Sequence, residues 1–503
     1  GGPVRGPTSP APSNEEVLLA EIRDLLEGAR LTRMRMRPLR LSSGAPWHLS
    51  LRVEAAGSDF VCRIGGGDAH VGAVALAEWK DGRAAARALT AEGHKETAIA
   101  THAAHRICLA TRRRVTCVAG IHFDDLRREQ IDEISRAAYR LAERAARRLE
   151  DRRLRAAVRD PDGPLVGLLS PGDGLDGEVE AFLARPLEAL LEKREPGRPG
   201  VGAPGGRVLL FAPLYLTNAC SNDCAYCGFR RSASYERRTL DLEAAVRQAE
   251  VLAERGHRTI DLVTGEVAAD PFVDRVCRIC EAILARTPIR TVNLNLGALS
   301  GDQLRRLREA GATGYHLYQE TYDPATYFRV HRRGLKRDMA WRLDGPRRAA
   351  AAGFDRIGLG VLVGLRPLGR DLPPLVRHAR RLRAEFPGLR LGLSLPRLRH
   401  ADPECAFTPP APASDDELAK AFLFLRSVLP DADLTVTTRE RPDLRDALLR
   451  LGISKMSAGV STAPGGYAAA GEKPTGQFEI EDERSVDEIV AAIAATGRTP
   501  AFE

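Results

Sequence analysis

Long apolar runs are missing from this chain: nowhere do eighteen or more uncharged apolar residues follow one another, so no membrane-spanning helix is expected. Cysteine is scarce, with nine in 503 residues, and the odd count follows no framework spacing, which argues against a secreted disulfide scaffold. Residues 1–13 are rich in glycine, proline and serine and hold no apolar signal segment. They read as a disordered N-terminus, and the chain reads as cytoplasmic. Lysine is low beside arginine; the 75 basic and 67 acidic residues leave a formal charge of +8. Clusters such as Arg112 to Arg114, Arg147-Arg148 and Arg152-Arg153 alternate with acids as solvated helix faces do, so no nucleic-acid partner is expected.

What is present suggests two or three domains, and the 44% hydrophobic content is enough for real cores. Helical spacing over Glu15 to Glu27 predicts an amphipathic helix stopped by Gly28. Strand-like stretches follow at Leu31 to Leu41, His48 to Glu54, Phe60 to Ile64 and Val71 to Ala77, with Gly65-Gly66-Gly67 as a loop free of side chains. This region carries six of the eleven histidines. His102 and His105 are one helical turn apart and read as ordinary helix histidines, while His70, His94 and His122 sit in loops where a shared small-molecule or metal pocket competes with the reading as ordinary loop histidines. A long helix from Leu126 to about Arg159 ends at Asp160-Pro161-Asp162-Gly163, so residues 14–160 are read as one histidine-containing α+β domain.

Residues 161–206 read as a helix and a Gly/Pro-rich linker. From 207 to the end, apolar runs alternate with helical patterns: Val208 to Leu216, Thr259 to Val263, Thr291 to Leu296, Gly314 to Tyr318, Arg356 to Val363, Leu389 to Leu395, Asp433 to Thr437 and Gly452 to Ser457. Eight such runs predict an α/β fold of the (β/α)8 TIM-barrel type, whose chemistry gathers at the carboxyl ends of the strands. Cys220, Cys224 and Cys227 form C-x3-C-x2-C just past the first strand. A closed structural zinc site takes four protein ligands, and so does a complete 4Fe-4S cluster. Three thiolates leave one iron open; a zinc loop is the competing reading. Cys277 and Cys280 lie inside a helical pattern and read as packed thiols, and Cys405 has no partner in sequence.

The cysteine spacing, with Tyr226 before the last thiol, resembles the radical S-adenosylmethionine (SAM) enzymes. That resemblance implies a [4Fe-4S] cluster held by Cys220, Cys224 and Cys227, with SAM on the open iron. Thr264-Gly265-Glu266 resembles the family's Gly-Gly-Glu element for the SAM ammonium, with Thr264 in the first glycine's place, and Glu320 in Y-Q-E-T-Y-D is a second SAM contact. Together with W-R-L-D-x-P, S-x-P-R-L-R, T-R-E and K-M-S-A-G-x-S-T-A-P-G-G-Y, these strings look like the aromatic amino-acid lyase branch. The branch includes 2-iminoacetate synthase, the [FeFe]-hydrogenase maturase and a tryptophan lyase. The maturase has a later C-x2-C pair; residues 497–503 hold none, which disfavours that reading.

The resemblance implies cleavage of the Cα–Cβ bond of tyrosine to p-cresol and 2-iminoacetate. The partners it implies are flavodoxin or ferredoxin as low-potential donor and a thiazole synthase downstream. Arg397 is the first candidate for the substrate carboxylate and Arg399 the second. Ser457, a catalytic candidate, and Arg439, a cofactor-binding one, are barrel-mouth contacts, and Tyr226, Asn293 and Asn295 are further cofactor-binding candidates. Asn293-Leu294-Asn295 departs from the acid- and glutamine-bearing string of the thiamine enzyme, which keeps tryptophan open as the substrate. G-G-G-D-A-H-V-G, E-G-H-K-E and A-G-I-H-F-D-D in the first domain look like the D subunits, or prenylated-flavin chaperones, of hydroxybenzoate decarboxylases. Such a domain is expected to bind an aromatic product or intermediate. The rival from another class is a binding or assembly protein with a degenerate barrel.

Overall fold

A computed structural model describes residues 38–68, 70–80, 83–160, 163, 167–169, 172–192, 206–399, 407–468 and 476–503. The helix expected over Glu15 to Glu27, most of the linker before Gly206, and Cys405 lie outside these residues. The chain divides into two compact units, Gly1–Ala157 and Val158–Glu503.

The first unit is a six-stranded mixed sheet: β1 (Leu39–Ser42), β2 (Ser50–Ala56), β3 (Asp59–Gly67), β4 (Ala73–Lys80), β5 (Arg83–Thr90) and β6 (Val115–His122), in the order β1-β2-β3-β6-β4-β5. Helices α1 (Thr97–Thr111) and α2 (Arg128–Arg159) contribute Ile107, Cys108, Ala138 and Leu141 to the core formed with Val53, Ile64, Ala75 and Val115. The sequence Arg-Ala-Ala-Ala-Arg-Ala-Leu-Thr of β5 has strong helix formers, yet it pairs along all of β4. Ala84, Ala86 and Ala88 alternate toward the core, so the period of two decides over intrinsic propensity.

The second unit is a closed barrel of eight parallel strands. They are β7 (Arg207–Thr217), β8 (Thr259–Thr264), β9 (Thr291–Asn295), β10 (Gly314–His316), β11 (Arg356–Gly360), β12 (Arg390–Ser394), β13 (Asp433–Val436) and β14 (Lys455–Ser457). Each pairs with the next, and β14 returns to β7 at Leu209, Leu210 and Phe211. Parallel strands covered on both faces are rich in apolar residues, and every residue of β8 is buried, Asp261 included. One further strand, β15 (Thr499–Ala501), adds beside Arg207, Val208 and Leu209 and has no apolar run to announce it.

The barrel interior is not wholly apolar. Asn293 Nδ2 donates to Asp261 Oδ1 at 2.7 Å, His316 Nδ1 lies 3.1 Å from the other oxygen, and Lys455 Nζ lies 3.5 Å away. Burial works against the charge on Asp261, but Lys455 and His316 more than offset it and hold the carboxyl well below its usual range.

The chain after β14 is fixed by a fully buried ion pair between Arg445 and Asp482, with Arg445 NH2 also donating to the Ser457 carbonyl at 2.5 Å. Removing one partner leaves a buried charge alone. Asp482→Ala is therefore expected to destabilise the barrel by about 3–5 kcal/mol, checked by urea unfolding followed through the barrel's tryptophan Trp341; a loss under about 1 kcal/mol would mean the pair is no more than surface-like.

Candidate active site

Strand β7 ends at Thr217, and the chain runs directly into the loop that carries the three cysteines. Part of the loop is paired: Ala225 N–H donates to the Val330 carbonyl at 2.8 Å and Asp223 N–H to Arg333 at 3.1 Å. Other carbonyls turn to one side chain. Arg237 NH1 donates to Asn218 O at 2.8 Å and Phe229 O at 3.1 Å, and NH2 donates to Arg230 O at 2.6 Å and Ala233 O at 3.1 Å. On the inner side, the N–H groups of Asn222 and Glu266 donate to Cys220 Sγ at 3.4 and 3.3 Å, and Gln477 Nε2 donates to Cys227 Sγ at 3.8 Å. Burial nevertheless pushes all three thiols up, Cys224 furthest from its ordinary value, so a cation is needed to make thiolates of them.

The Thr264-Gly265-Glu266 turn closes on this loop. A Cβ on Gly265 would sit 2.1 Å from the Ala219 carbonyl oxygen and 3.0 Å from Cys220 Cβ, so only glycine allows the approach. Glu266 is clasped by Asn222 Nδ2 and by the Ala298 N–H at 2.7 Å, and Arg342 NH1 lies 3.6 Å from it. Gly297, at φ +96°, leaves the space this carboxylate fills: a Cβ there would meet Glu266 Cγ at 2.2 Å.

Glu320 takes φ +71°, a left-handed conformation that costs a non-glycine residue about 1–3 kcal/mol. Its carboxylate accepts from Lys336 Nζ at 2.5 Å, and Arg342 NH2 lies 3.6 Å away. Burial opposes the charge on Arg342, but Glu266, Tyr327 and Glu320 together raise its pKa above the usual guanidinium value. Tyr226 OH is 2.9 Å from His331 Nε2, and burial followed by Lys336 and Arg342 keeps that histidine neutral.

One cavity brings these groups together. Cys220, Cys224, Cys227, Tyr226, Thr264, Gly265, Glu266, Asn295, Glu320, Arg399, Arg439 and Ser457 all line it, joined by Asn222, Lys336, Arg342 and Gln477, to which the sequence reading gave no role. Arg342 fell within the W-R-L-D string and Gln477 opens Q-F-E-I-x-D-E-R-S; Lys336 carried no local signal. Two candidates fall elsewhere. Arg397 does not line the cavity: its Nε donates to Glu440 Oε2 at 2.7 Å and NH1 to Asp415 Oδ1 at 2.7 Å, so its planar fork is already used. Asn293 bonds Asp261 inside the barrel: residues two apart on a strand share a face, so Asn293 and Asn295 both point inward, but only Asn295 is far enough toward the mouth to line the cavity. Cys277 and Cys280 lie in α6 (Asp270–Arg286), counting helices from α3 (Leu175–Leu183), α4 (Leu187–Glu192) and α5 (Leu242–Glu254); Cys280 is buried.

Buried polar atoms in the cavity wall have no hydrogen-bond partner among the described residues: Thr264 Oγ1, Thr437 Oγ1, Thr438 Oγ1 and Arg342 NH1. Such atoms are costly unless a ligand meets them. With three thiols and their N–H donors on one side, the donor set fits an iron–sulfur cluster with one open corner and a polar ligand beside it. A parallel barrel with that loop at the mouth of its first strand is the framework of a radical SAM enzyme.

Comparison with known proteins agrees. Residues 214–379 match the Radical SAM superfamily, 394–499 the Biotin and Thiamin Synthesis associated domain, and 43–150 the Prenylated flavin chaperone LpdD-like domain. The 2-iminoacetate synthase of Escherichia coli (strain K12) is 36% identical over 341 residues, covering 67% of this chain and 86% of that protein. The corresponding Salmonella typhimurium enzyme is 35% identical over 301 residues, covering 59% and 78%. The [FeFe]-hydrogenase maturase HydG from Carboxydothermus hydrogenoformans superposes with TM-score 0.56 at 32% identity, covering 75% of this chain and 86% of that one. The chain belongs to the radical SAM family, in the branch of 2-iminoacetate synthase. It is a radical SAM lyase and uses a [4Fe-4S] cluster and SAM.

Arg237 touches neither thiol nor cavity, yet it satisfies four carbonyls of the cysteine loop. Arg237→Ala is expected to lower the iron retained after anaerobic reconstitution and gel filtration by at least about half, with the first unit's fold unchanged by circular dichroism of its thermal transition; full iron retention would show that the loop holds its shape without the staple.

Proposed function

We propose that this enzyme cleaves the Cα–Cβ bond of L-tyrosine, releasing p-cresol and 2-iminoacetate. The observation that carries the reading is Arg439. Its guanidinium lies in the cavity wall on a half-buried side chain, 3.5 Å from the centre of the Phe478 ring, and donates to the Arg397 carbonyl at 3.2 Å. Among the described residues it forms no ion pair with a carboxylate. A half-buried cation left without a carboxylate in a cavity wall is stabilised by an anionic ligand. The substrate carboxylate is the anion best suited to it, with Arg399 beside it, whose Nε donates to the Arg439 carbonyl at 2.7 Å. The carboxylate clamp thus passes from Arg397 to Arg439, while Arg399 lines the cavity beside it with its own guanidinium paired to Glu440 at 3.4 Å and Glu481 at 3.2 Å.

Phe211, Leu362, Leu398 and Val460 line the same cavity and suit an aromatic ring. The cysteines and the Thr264-Gly265-Glu266 turn come from β7 and β8, while Arg399 and Arg439 follow β12 and β13, in the other half of the barrel. Glu266, Glu320 and Asn295 hold SAM in this reading, and Ser457, whose Oγ accepts the Thr438 N–H at 3.2 Å, shapes the floor between the two ligands. When bound, the cluster and SAM would supply the hydrogen-atom abstraction chemistry directed at the substrate amino group. The chain's own task is placement, since misplacement by about 1 Å costs on the order of 100-fold. The 2-iminoacetate product would feed thiazole formation, with a flavodoxin or ferredoxin as reductant.

Anaerobically reconstituted enzyme given SAM, dithionite and tyrosine is expected to release p-cresol; a methylindole-type product from tryptophan, with none from tyrosine, would overturn the substrate. Arg439→Ala is expected to raise the KM for tyrosine by about 30-fold or more, the equivalent of 2 kcal/mol for a truncated buried charge pair, with SAM affinity little changed. Loss of SAM affinity at an unaltered tyrosine KM would place Arg439 on the cofactor instead.

A further inference from the structure

The sheet of the first unit gathers three separate segments at one end. Ala73 at the start of β4 pairs with Thr90 at the end of β5 and with Ala119 in β6. Whatever precedes β4, follows β5 and follows Ala119 therefore meets there. These are His70; His94 with Glu96; and Ile121 with His122.

From this junction we infer a divalent-cation site of the zinc class, made by His70 Nε2, His94 Nδ1 and a carboxylate oxygen of Glu96. Among the described residues, these are the grouping of three donors that lie within 4.8 Å of one another. His70 Nε2 and His94 Nδ1 are 3.0 Å apart; Glu96 Oε1 is 3.6 Å from the first and Oε2 3.7 Å from the second. The two longer distances exceed hydrogen-bond range. They are close to the edge of a tetrahedron around zinc, about 3.3 Å for ligands roughly 2.05 Å from the metal.

The surroundings orient each donor. His70 Nδ1 lies 3.1 Å from the Asp68 carbonyl oxygen, and donating its proton there leaves the Nε2 lone pair for a cation. Glu96 is buried, and its oxygens accept the N–H groups of Lys95 at 3.0 Å and Ile121 at 3.3 Å, which fix the carboxylate without using up its lone pairs. Two glycines make the space. A Cβ on Gly72 would lie 2.6 Å from Glu96 Oε2, and one on Gly120 would lie 1.7 Å from the His70 carbonyl oxygen. His122 pairs with Asp124 at 3.3 Å instead of joining the set, although its ring centre is only 5.8 Å from that of His70. Three ligands leave the fourth position for water or an oxygen donor of a small molecule. His102 and His105 form no such site: His102 Nε2 lies 3.3 Å from Glu143 and packs on Tyr139.

The test uses the full chain with Cys220→Ala, Cys224→Ala and Cys227→Ala, so that the barrel cannot take metal, stripped with chelator and titrated with Co²⁺. One Co²⁺ per chain is expected, with ligand-field bands of a four-coordinate nitrogen and oxygen set and no sulfur-to-cobalt charge transfer. Affinity should fall by more than about 10-fold, the least that losing even a supporting partner costs, in His94→Ala and in Glu96→Gln, and stay unchanged in His102→Ala. No cobalt bands in the unaltered triad, sulfur charge-transfer bands, or equal affinity in His94→Ala would each overturn the site; the first two need no triad variant to fold.

Discussion

The active site depends on how closely two backbones approach. The cysteine loop after β7 and the Thr264-Gly265-Glu266 turn after β8 come so near that a single methyl group at Gly265 would overlap a carbonyl oxygen. That approach puts the Glu266 N–H on Cys220 Sγ and the Ser221 hydroxyl on the Glu266 carbonyl at 2.8 Å. Thiol and carboxylate are thereby held on adjacent strand ends without either side chain having to reach. A side chain that reached would lose conformational entropy in doing so.

Around this seam the protein has placed charge in a buried setting and balanced it. Glu266 and Glu320 face Lys336 and Arg342, and Glu320 keeps an unfavourable backbone conformation to do so, anchored by the Leu362 N–H on its carbonyl at 2.8 Å. Deeper in the barrel, Asp261 is matched by Lys455 and His316. Fixed charges in a site shielded from water act strongly on a zwitterionic ligand and need no rearrangement when it arrives. The last part of the chain shares in this: Gln477 reaches Cys227, Tyr215 OH donates to Gln477 Oε1 at 2.9 Å, and the Arg445–Asp482 pair holds the segment down.

Much of this was legible in the sequence, for physical reasons. Barrel strands covered on both faces are predominantly apolar, so runs such as Val208 to Leu216 stood out between amphipathic helices, and strand-end motifs could be placed at one mouth. The three cysteines were legible because scarce thiols at short spacing have few other uses. What stayed hidden was selection among equals. In a chain so rich in arginine, nothing local separates Arg237, which staples the loop, or Arg439, left without a carboxylate, from Arg397, which is spent on Glu440 and Asp415. Only the fold makes that distinction. The same holds for β5, whose alanines suggest helix until β4 supplies a partner, and for Glu96, which closes the E-G-H-K-E string but is brought to two histidines only by the sheet.

The central claim is that Cys220, Cys224 and Cys227 hold a cluster whose open corner faces SAM. Electron paramagnetic resonance of the anaerobically reconstituted, dithionite-reduced chain tests it most directly, recorded with and without SAM. The account predicts a [4Fe-4S]⁺ signal whose g-values shift when SAM is added and which is absent in Cys224→Ala. A cluster signal indifferent to SAM, or one that survives the loss of Cys224, would contradict it.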